Sequence, residues 1–390
     1  MHCLSVVTNS KELLDLCRKL EPAKAIGYDT EFISEGRYLP ELCLIQIAAE
    51  EILALIDPLA VRDLTLLWEL FCDGKREMLV HACRSEMEFC HRDIGKMPPK
   101  LFDIQLAAGF LGCDFPTSYS SLLWKFLHTK LEKSESRTDW KKRPLTPLQL
   151  DYAIDDVRHL AEMTQVLKAQ LAEHNRLDWY YEESESVKET LKNGFEHPRW
   201  QGLPKISGLQ RRELAVLRGL WFWRDKVARH KNIPAGRILR DDLIVELARR
   251  KTGDVKRIAA VRGLQRSDAD KIVPELAAVI QQGLELPESE LPDVLYRASF
   301  PQYPVMTQIL YAALGSICEQ QHIAVPLVGS PFDVREMIAA ELRTLPEHIV
   351  PKLTSGWRAE LVGTFLQDVL YGRKTLRLNC RQQEELLVFE

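Results

Sequence analysis

The 390-residue sequence predicts an α/β domain with a mixed central sheet, followed by two all-α domains. Three observations support this prediction. Short runs rich in Val, Ile and Leu alternate with helical patterns over roughly the first 146 residues. From Pro147 onward, apolar residues recur at helical spacing and strand patterns essentially disappear. Two segments with several Pro or Gly residues, 193–208 and 287–292, then divide the helical part.

In the α/β domain, the predicted strands cover residues 3–7, 24–30, 42–48, 52–57 and 78–82. The third and fourth are expected to form a hairpin, because only a short acidic turn separates them. Predicted helices run from Lys11 to Leu20, from about Ser85 to Asp93, from Asp103 to Gly112, and without a break from Pro147 to about His174. Asp103 is expected to be an N-cap, since its carboxylate can accept backbone hydrogen bonds.

Composition limits the class of protein. A hydrophobic content of 46% is sufficient for two or three domains, and no apolar run reaches the eighteen residues of a membrane span. The N-terminal residues lack a signal-peptide pattern. Nine cysteines are scattered and never form a Cys-x-x-Cys pair, so neither a disulfide framework nor a zinc knuckle is expected. We therefore expect a soluble, cytoplasmic monomer with reduced cysteines.

The charge is distributed unevenly along the chain. The whole chain carries a net charge of −4, but residues from Lys205 to Glu275 hold 18 Lys and Arg against 9 Asp and Glu. That segment has a balance of +9, which leaves −13 for the remainder. This division predicts metal-binding carboxylates in one domain and phosphate contacts in another.

The first carboxylate pair lies in the stretch Ala-Ile-Gly-Tyr-Asp-Thr-Glu-Phe, residues 25–32. In a strand, residues i and i+2 point to the same face, so Asp29 and Glu31 would present oxygen ligands side by side. Such a pair can begin a divalent-metal site. Acidic residues at a strand end also often mark only the start of a loop, and this stretch alone leaves both interpretations open.

Two further acidic segments follow. Residues 80–88 read as a strand end turning into a helix, on which Glu86 and Glu88 are about 200° apart, so only one can face the first pair. Residues 151–157 place Tyr152 and Asp156 four residues apart on one helical face. One helix could then put a carboxylate on a metal while the phenol reaches a water one turn away.

In these residues the chain closely resembles the ribonuclease D family, in the tyrosine-bearing branch of the DEDD exonucleases. The matching pieces are Asp29-Thr-Glu31-Phe, the His81-Ala register that contains Glu86, Lys-Ser-Glu-Ser-Arg-Thr-Asp-Trp at 133–140, and Tyr152-x-x-x-Asp156. Residues 217–229, 232–234 and 258–264 resemble the small helical HRDC domain. The resemblance implies an RNase H-like exonuclease domain over 1–192, a linker over 193–208, an HRDC domain over 209–286, and a C-terminal HRDC-like domain over 293–380.

The resemblance also implies an activity, namely hydrolysis of RNA from its 3′ end to nucleoside 5′-monophosphates, with tRNA precursors as the usual substrates. Two Mg²⁺ or Mn²⁺ ions would stabilise the attacking and leaving oxygens. It implies metal ligation by Asp29, Glu31, Glu86 and Asp156, with Tyr152 orienting the water, and RNA contacts from Lys133, Arg137, Trp140 and Arg224. No Walker-type loop occurs, so a nucleotide cofactor is not expected.

One residue departs from the family pattern, because Glu86 stands where much of the family has Asp. This departure leaves open a noncatalytic RNA-binding or scaffold protein. A DNA-directed 3′-5′ exonuclease is a further alternative, because the same metal chemistry serves either sugar. His81, at a strand end, is expected to be a hydrogen-bonded packing residue and not a catalytic base.

Overall fold

The computed structural model describes residues 5–131, 138–197, 200–206, 208–264, 269–293, 303–346, 348–378 and 387–389. The chain forms two compact units. The first, called the nuclease unit here, contains residues 1–32, 42–195 and 301–390. The second, called the helical unit, contains residues 33–41 and 196–300. None of the described helices combines the length and the apolar character needed to cross a bilayer.

The nuclease unit is built on a mixed sheet, as the sequence predicts, but the sheet has six strands and includes Leu101–Asp103, which was not among the five predicted strands. Its strands lie in the order β1-β4-β3-β2-β5-β6. Strand β1 pairs in parallel with β4, β3 pairs antiparallel with β4, and β5 pairs in parallel with both β2 and β6. The hairpin between the third and fourth strands is confirmed. The strand bounds are Ser5–Val7 (β1), Ala25–Ile33 (β2), Glu41–Ala49 (β3), Ile52–Ile56 (β4), Glu77–Val80 (β5) and Leu101–Asp103 (β6).

Helices surround this sheet, and their ends follow local capping rules. The side chain of Asn9 accepts a hydrogen bond from the backbone of Glu12, and Asp103 caps its helix as expected. The helices are Ser10–Leu20 (α1), Thr65–Cys72 (α2), Arg84–Ile94 (α3), Ile104–Gly109 (α4), Tyr119–Leu127 (α5), Pro147–Arg158 (α6), Leu160–Glu173 (α7) and Leu177–Glu196 (α8).

The single helix expected from Pro147 to His174 is two helices, which corrects the sequence prediction. His159 leaves helical geometry, with φ −101° and ψ 3°, between α6 and α7. The break lets Leu160 pack directly on the strand, because a Cβ added to Gly27 would lie only 3.1 Å from the Leu160 Cδ1 atom. Tertiary packing against β2 therefore overrides the continuous helical pattern.

The helical unit has its own hydrophobic core, which includes Trp200, Leu217, Leu220, Ile244 and Leu276. Its longest helix ends at Asn232, which takes the left-handed conformation that stops a helix. The helices are Arg211–Lys231 (α9), Ala235–Ile238 (α10), Asp241–Arg250 (α11), Val255–Ala259 (α12) and Ala269–Glu285 (α13).

The C-terminal segment is again helical, and it shares a core with the nuclease sheet. The sequence predicts a separate domain over 293–380, whereas Leu314, Ile338 and Trp357 belong to the same buried cluster as Phe102 and Phe110. A small antiparallel sheet at the end differs from the expectation that strands essentially disappear after Pro147. The elements are Pro304–Gln320 (α14), Val325–Val328 (α15), Pro331–Glu341 (α16), Gly356–Arg358 (α17), a π-helix Ala359–Gly363, Thr364–Leu370 (α18), Leu376–Leu378 (β7) and Leu387–Phe389 (β8).

Polar contacts also attach the C-terminal helices to the sheet domain. The Arg176 guanidinium donates to the carbonyls of Phe110 (2.8 Å) and Gln321 (2.5 Å). The buried Glu183 carboxylate accepts from Trp357 Nε1 at 3.1 Å and pairs with Arg358 at 2.6 Å. These contacts make the C-terminal helices a structural part of the nuclease unit.

Candidate active site

The end of strand β2 supplies the first part of the candidate site. Asp29 and Glu31 are half-buried near the carboxyl end of the strand, and Thr30 between them is buried. The Thr30 hydroxyl donates to Oε1 of Glu86 at 2.9 Å, which links the strand to helix α3. Thr30 was not predicted as a site residue, because a threonine in a strand carries no sequence signal that distinguishes a site residue from a packing residue.

Helix α3 presents Glu86 because the turn before it is held by Asp103. Strand β5 ends at Val80, and Ala82 takes a left-handed conformation with φ +65°. The Asp103 carboxylate accepts from the backbone of Ala82 at 3.0 Å and of Cys83 at 2.9 Å. Helix α3 then begins at Arg84, which places Glu86 in the first turn with 3% exposure.

Glu86, and not Glu88, is the acidic residue of this helix that reaches the first pair. Its carboxyl group accepts from Thr30, and it lies close enough to Asp29 for the charge of Asp29 to contribute to its raised pKa. Helix α3 therefore has the register that the sequence predicts, with Glu86 and not Glu88 facing the first carboxylate pair.

Helix α6 supplies the last carboxylate. Thr146 and Gln149 form a capping box at its start, and Pro147 occupies the first turn. The Tyr152 side chain hydrogen bonds to Asp156 one turn further on, and its ring packs 6.0 Å from that of Trp140. The predicted Tyr-x-x-x-Asp pair thus lies on one face of the helix.

The four carboxyl groups raise one another's pKa. Burial, followed by the charges of Asp29 and Asp156, raises the pKa of Glu31 to about 9. Burial and the charge of Asp29 raise the pKa of Asp156 to about 8, and burial raises that of Asp29 to about 6. Burial is also the largest cause of the raised pKa of Glu86. Repulsion among buried carboxylates is the electrostatic condition that a bound cation relieves.

The donor set fits a hard divalent cation, for which carboxylate oxygens are the preferred ligands. Oε2 of Glu86 is buried and has no hydrogen-bond donor within the described parts of the chain, so a cation could satisfy it. Over the same residues, no three His, Cys, Asp or Glu side chains form a ready-made metal-holding group.

Two of the expected RNA contacts are corrected by burial. Trp140 is only 2% exposed and packs against Tyr152, so its ring supports the helix that carries Asp156. Arg224 is 5% exposed, and its Nη1 atom donates to Leu239 O at 2.9 Å and to Asp241 at 2.6 Å. Its guanidinium is used inside the helical unit. The other two expected contacts, Lys133 and Arg137, lie outside the described residues.

His81 and Tyr119 complete the surroundings of the site. His81 Nε2 donates to the carbonyl of Thr117 at 3.0 Å, and burial lowers the pKa of the imidazole. The expected packing role of His81 is confirmed by this contact. Tyr119, which the sequence analysis missed, is buried close enough to Asp156 and Asp29 for their charges to raise its pKa further.

Comparisons with known proteins show the family to which this chain belongs. A family profile described as a 3′-5′ exonuclease matches residues 4–172, and one described as an HRDC domain matches residues 213–280. Ribonuclease D of Granulibacter bethesdensis is 32% identical over 94% of this chain and 91% of its own length. Ribonuclease D of Zymomonas mobilis is 33% identical over 93% of both chains. The chain belongs to the ribonuclease D family.

The likeness extends to three dimensions. The crystal structure of Escherichia coli RNase D, an exoribonuclease involved in structured RNA processing, matches with a TM-score of 0.82 at 28% identity. The match covers 94% of this chain and 98% of that one. The chain is therefore a 3′-5′ exonuclease of the RNase H-like fold with an HRDC domain, in a family that generally uses divalent metals.

Proposed function

We propose that this chain removes nucleotides one at a time from the 3′ end of RNA, releases nucleoside 5′-monophosphates, and acts on structured RNAs such as tRNA precursors. The observation that carries the proposal is the convergence of Asp29, Glu31, Glu86 and Asp156 from three separate elements. An acidic cluster serving only a structural role would be expected to have basic partners, whereas the charges that raise these pKa values come from acidic groups.

The four carboxylates would hold two Mg²⁺ or Mn²⁺ ions. When bound, such ions stabilise the negative charge that develops on the attacking and leaving oxygens of the phosphodiester. Glu86 has one more methylene than the aspartate common in the family. Its carboxyl group nevertheless lies near enough to Asp29 for the two to interact electrostatically, and it accepts from Thr30, which supports a ligand role at this position. The noncatalytic alternative, which depended on Glu86, loses its main support.

The chain's own groups would orient the water. Tyr152 hydrogen bonds to Asp156 and packs on the buried ring of Trp140, so its hydroxyl is held next to the carboxylate cluster. From this position the hydroxyl can hold the attacking water in line with the phosphorus atom, and proximity and orientation of this kind lower the barrier. Tyr119 and His81 would close the buried side of the site.

The helical unit would bind the phosphate backbone of the RNA. Its surface has a cavity of about 400 Å³, lined by four basic and two acidic side chains together with apolar ones. Arg250 is neutralised by Glu246 at 2.8 Å, and Arg249 donates to Lys205 O at 3.0 Å. Lys205, Arg249 and Arg262 would supply the positive charge in the cavity wall that favours phosphate groups.

A direct test uses a 5′-labelled RNA with a single-stranded 3′ end, incubated with Mg²⁺, with Mn²⁺, or with a chelator. We expect a ladder that shortens by single nucleotides, nucleoside 5′-monophosphate as product, and no reaction with chelator. A DNA oligonucleotide of the same sequence should react more slowly. Binding without hydrolysis would favour the noncatalytic alternative, and preference for DNA would favour the DNA-directed one.

A further inference from the structure

The connection between strands β2 and β3 is part of the helical unit. Residues Ile33–Glu41 group with the helices of that unit, although β2 begins in the nuclease unit and carries Asp29 and Glu31. Only Phe32 separates Glu31 from this segment, which we call the tether. The chain therefore passes from the strand that carries Asp29 and Glu31 directly into the helical unit.

Tyr38 is the main side-chain anchor of the tether. Its hydroxyl donates to Oδ1 of Asp225 at 2.5 Å, and its ring packs against the hydrophobic core of the helical unit. Oδ2 of Asp225 accepts from Arg229 at 2.9 Å, and the Arg229 guanidinium lies 5.2 Å from the centre of the Tyr38 ring. Burial and the hydrogen bond to Asp225 raise the pKa of Tyr38 to about 12, so the hydroxyl keeps its proton at neutral pH.

Asn232 holds the tether backbone next to this anchor. Its side-chain oxygen accepts from the backbone of Tyr38 and from that of Leu39, each at 3.3 Å. Asn232 is also the residue that ends helix α9 in the left-handed conformation, with φ +48°. One residue therefore both stops the helix and binds the tether, which gives a role to the Asn-Ile-Pro motif at 232–234.

The tether needs such anchors because ordering a loop is costly. Fixing the backbone of one residue costs roughly 1–2 kcal/mol of entropy, and the tether has no strand partner between its two ends. Within the segment, Arg37 pairs with Glu41 at 2.7 Å and donates its backbone N–H to Ser34 O at 3.2 Å. These local contacts shape the turn but do not hold its centre.

We propose that the helical unit uses this tether to hold the end of β2, and hence Asp29 and Glu31, in the arrangement needed for hydrolysis. Tyr38, Asp225 and Asn232 are its positioning residues. The inference rests on the proposed exoribonuclease function and adds a second role to the helical unit, which then supports turnover as well as RNA binding. The physical basis is that misplacing reacting groups by about 1 Å can cost up to 10²-fold in rate.

The sharpest test compares two substitutions of Asn232 in the full-length chain. Asn232→Gly keeps the left-handed backbone free of strain but deletes the acceptor oxygen. Asn232→Asp keeps both the conformation and an acceptor. Tyr38→Phe removes only the hydroxyl and provides a second, independent perturbation. We expect Asn232→Gly and Tyr38→Phe to lower kcat on an RNA trinucleotide at least threefold with KM within twofold, and Asn232→Asp to retain wild-type kcat.

The matched control is Trp223→Phe. Trp223 Nε1 donates to Glu275 at 2.7 Å in the same unit, so this variant also loses one hydrogen bond to a carboxylate but leaves the tether intact. Wild-type kcat in both Asn232→Gly and Tyr38→Phe would overturn the proposed role of the tether. A loss of kcat in Trp223→Phe as large as in those two variants would overturn it as well. A wild-type chain that does not hydrolyse RNA at all would instead refute the proposed function, and the tether proposal with it.

Discussion

Replacing Trp357 by alanine should destabilise the nuclease unit, although the residue lies some two hundred positions after Asp156 in the sequence. Trp357 is 1% exposed, its ring lies 4.9 Å from that of Phe110, and its Nε1 atom donates to the buried Glu183. Removing a fully buried aromatic side chain costs about 3–5 kcal/mol. At about 2–4 °C per kcal/mol for a domain of this size, Tm should fall by about 6–20 °C.

The assay is residual RNA hydrolysis after heating, together with the thermal unfolding curve. Trp124→Ala is the matched control, because it deletes the same side chain from the same unit at a position that is 61% exposed. That variant should change the free energy of unfolding by no more than about 0.5 kcal/mol. If the two variants had the same Tm and the same inactivation temperature, the C-terminal helices would not be part of the nuclease core, and the reasoning would fail.

Four further outcomes are expected. Glu86→Asp should retain substantial hydrolytic activity, whereas Glu86→Gln should lower it by more than about 10²-fold. The reason is that loss of even an indirect metal partner costs 10–100-fold in metal affinity or activity. Equal activity in both variants would contradict the ligand role of Glu86. Tyr152→Phe should lower kcat by about 10²–10⁴ with RNA affinity unchanged, measured by single-turnover kinetics and filter binding. Mn²⁺ affinity, measured by titration calorimetry, should rise between pH 6 and pH 9. The reason is that Glu31 and Asp156, with pKa values of about 9 and 8, must lose their protons to bind the ion. An affinity that does not change with pH would refute the ligand role of these two residues. Arg262→Glu should weaken binding of long RNA and reduce the slope of log K against log salt by about 1, whereas an unchanged slope would remove Arg262 from the interface.

The sequence by itself determined the carboxylate motifs and the elements that carry them. The strand period of two pairs Asp29 with Glu31, and the helical period of 3.6 pairs Tyr152 with Asp156. The choice of Glu86 over Glu88 followed from the same helical geometry and the family register. The caps themselves are equally local, since Asp103 and Thr146 each accept from backbone groups within three residues at the start of their own helices. These features were predictable because they depend on neighbours in the sequence.

The tertiary structure alone decided what depends on contacts between distant segments. The break at His159 arises because Leu160 packs on Gly27, and the helical pattern of residues 147–174 contains no sign of it. Trp140 and Arg224 were expected to contact RNA but are buried in the structure. The sequence could not show this, because an aromatic or basic residue gives the same sequence signal whether its side chain is exposed or buried. The shared core of the C-terminal helices and the grouping of Ile33–Glu41 with the helical unit follow from long-range packing, which amino-acid periodicity does not encode.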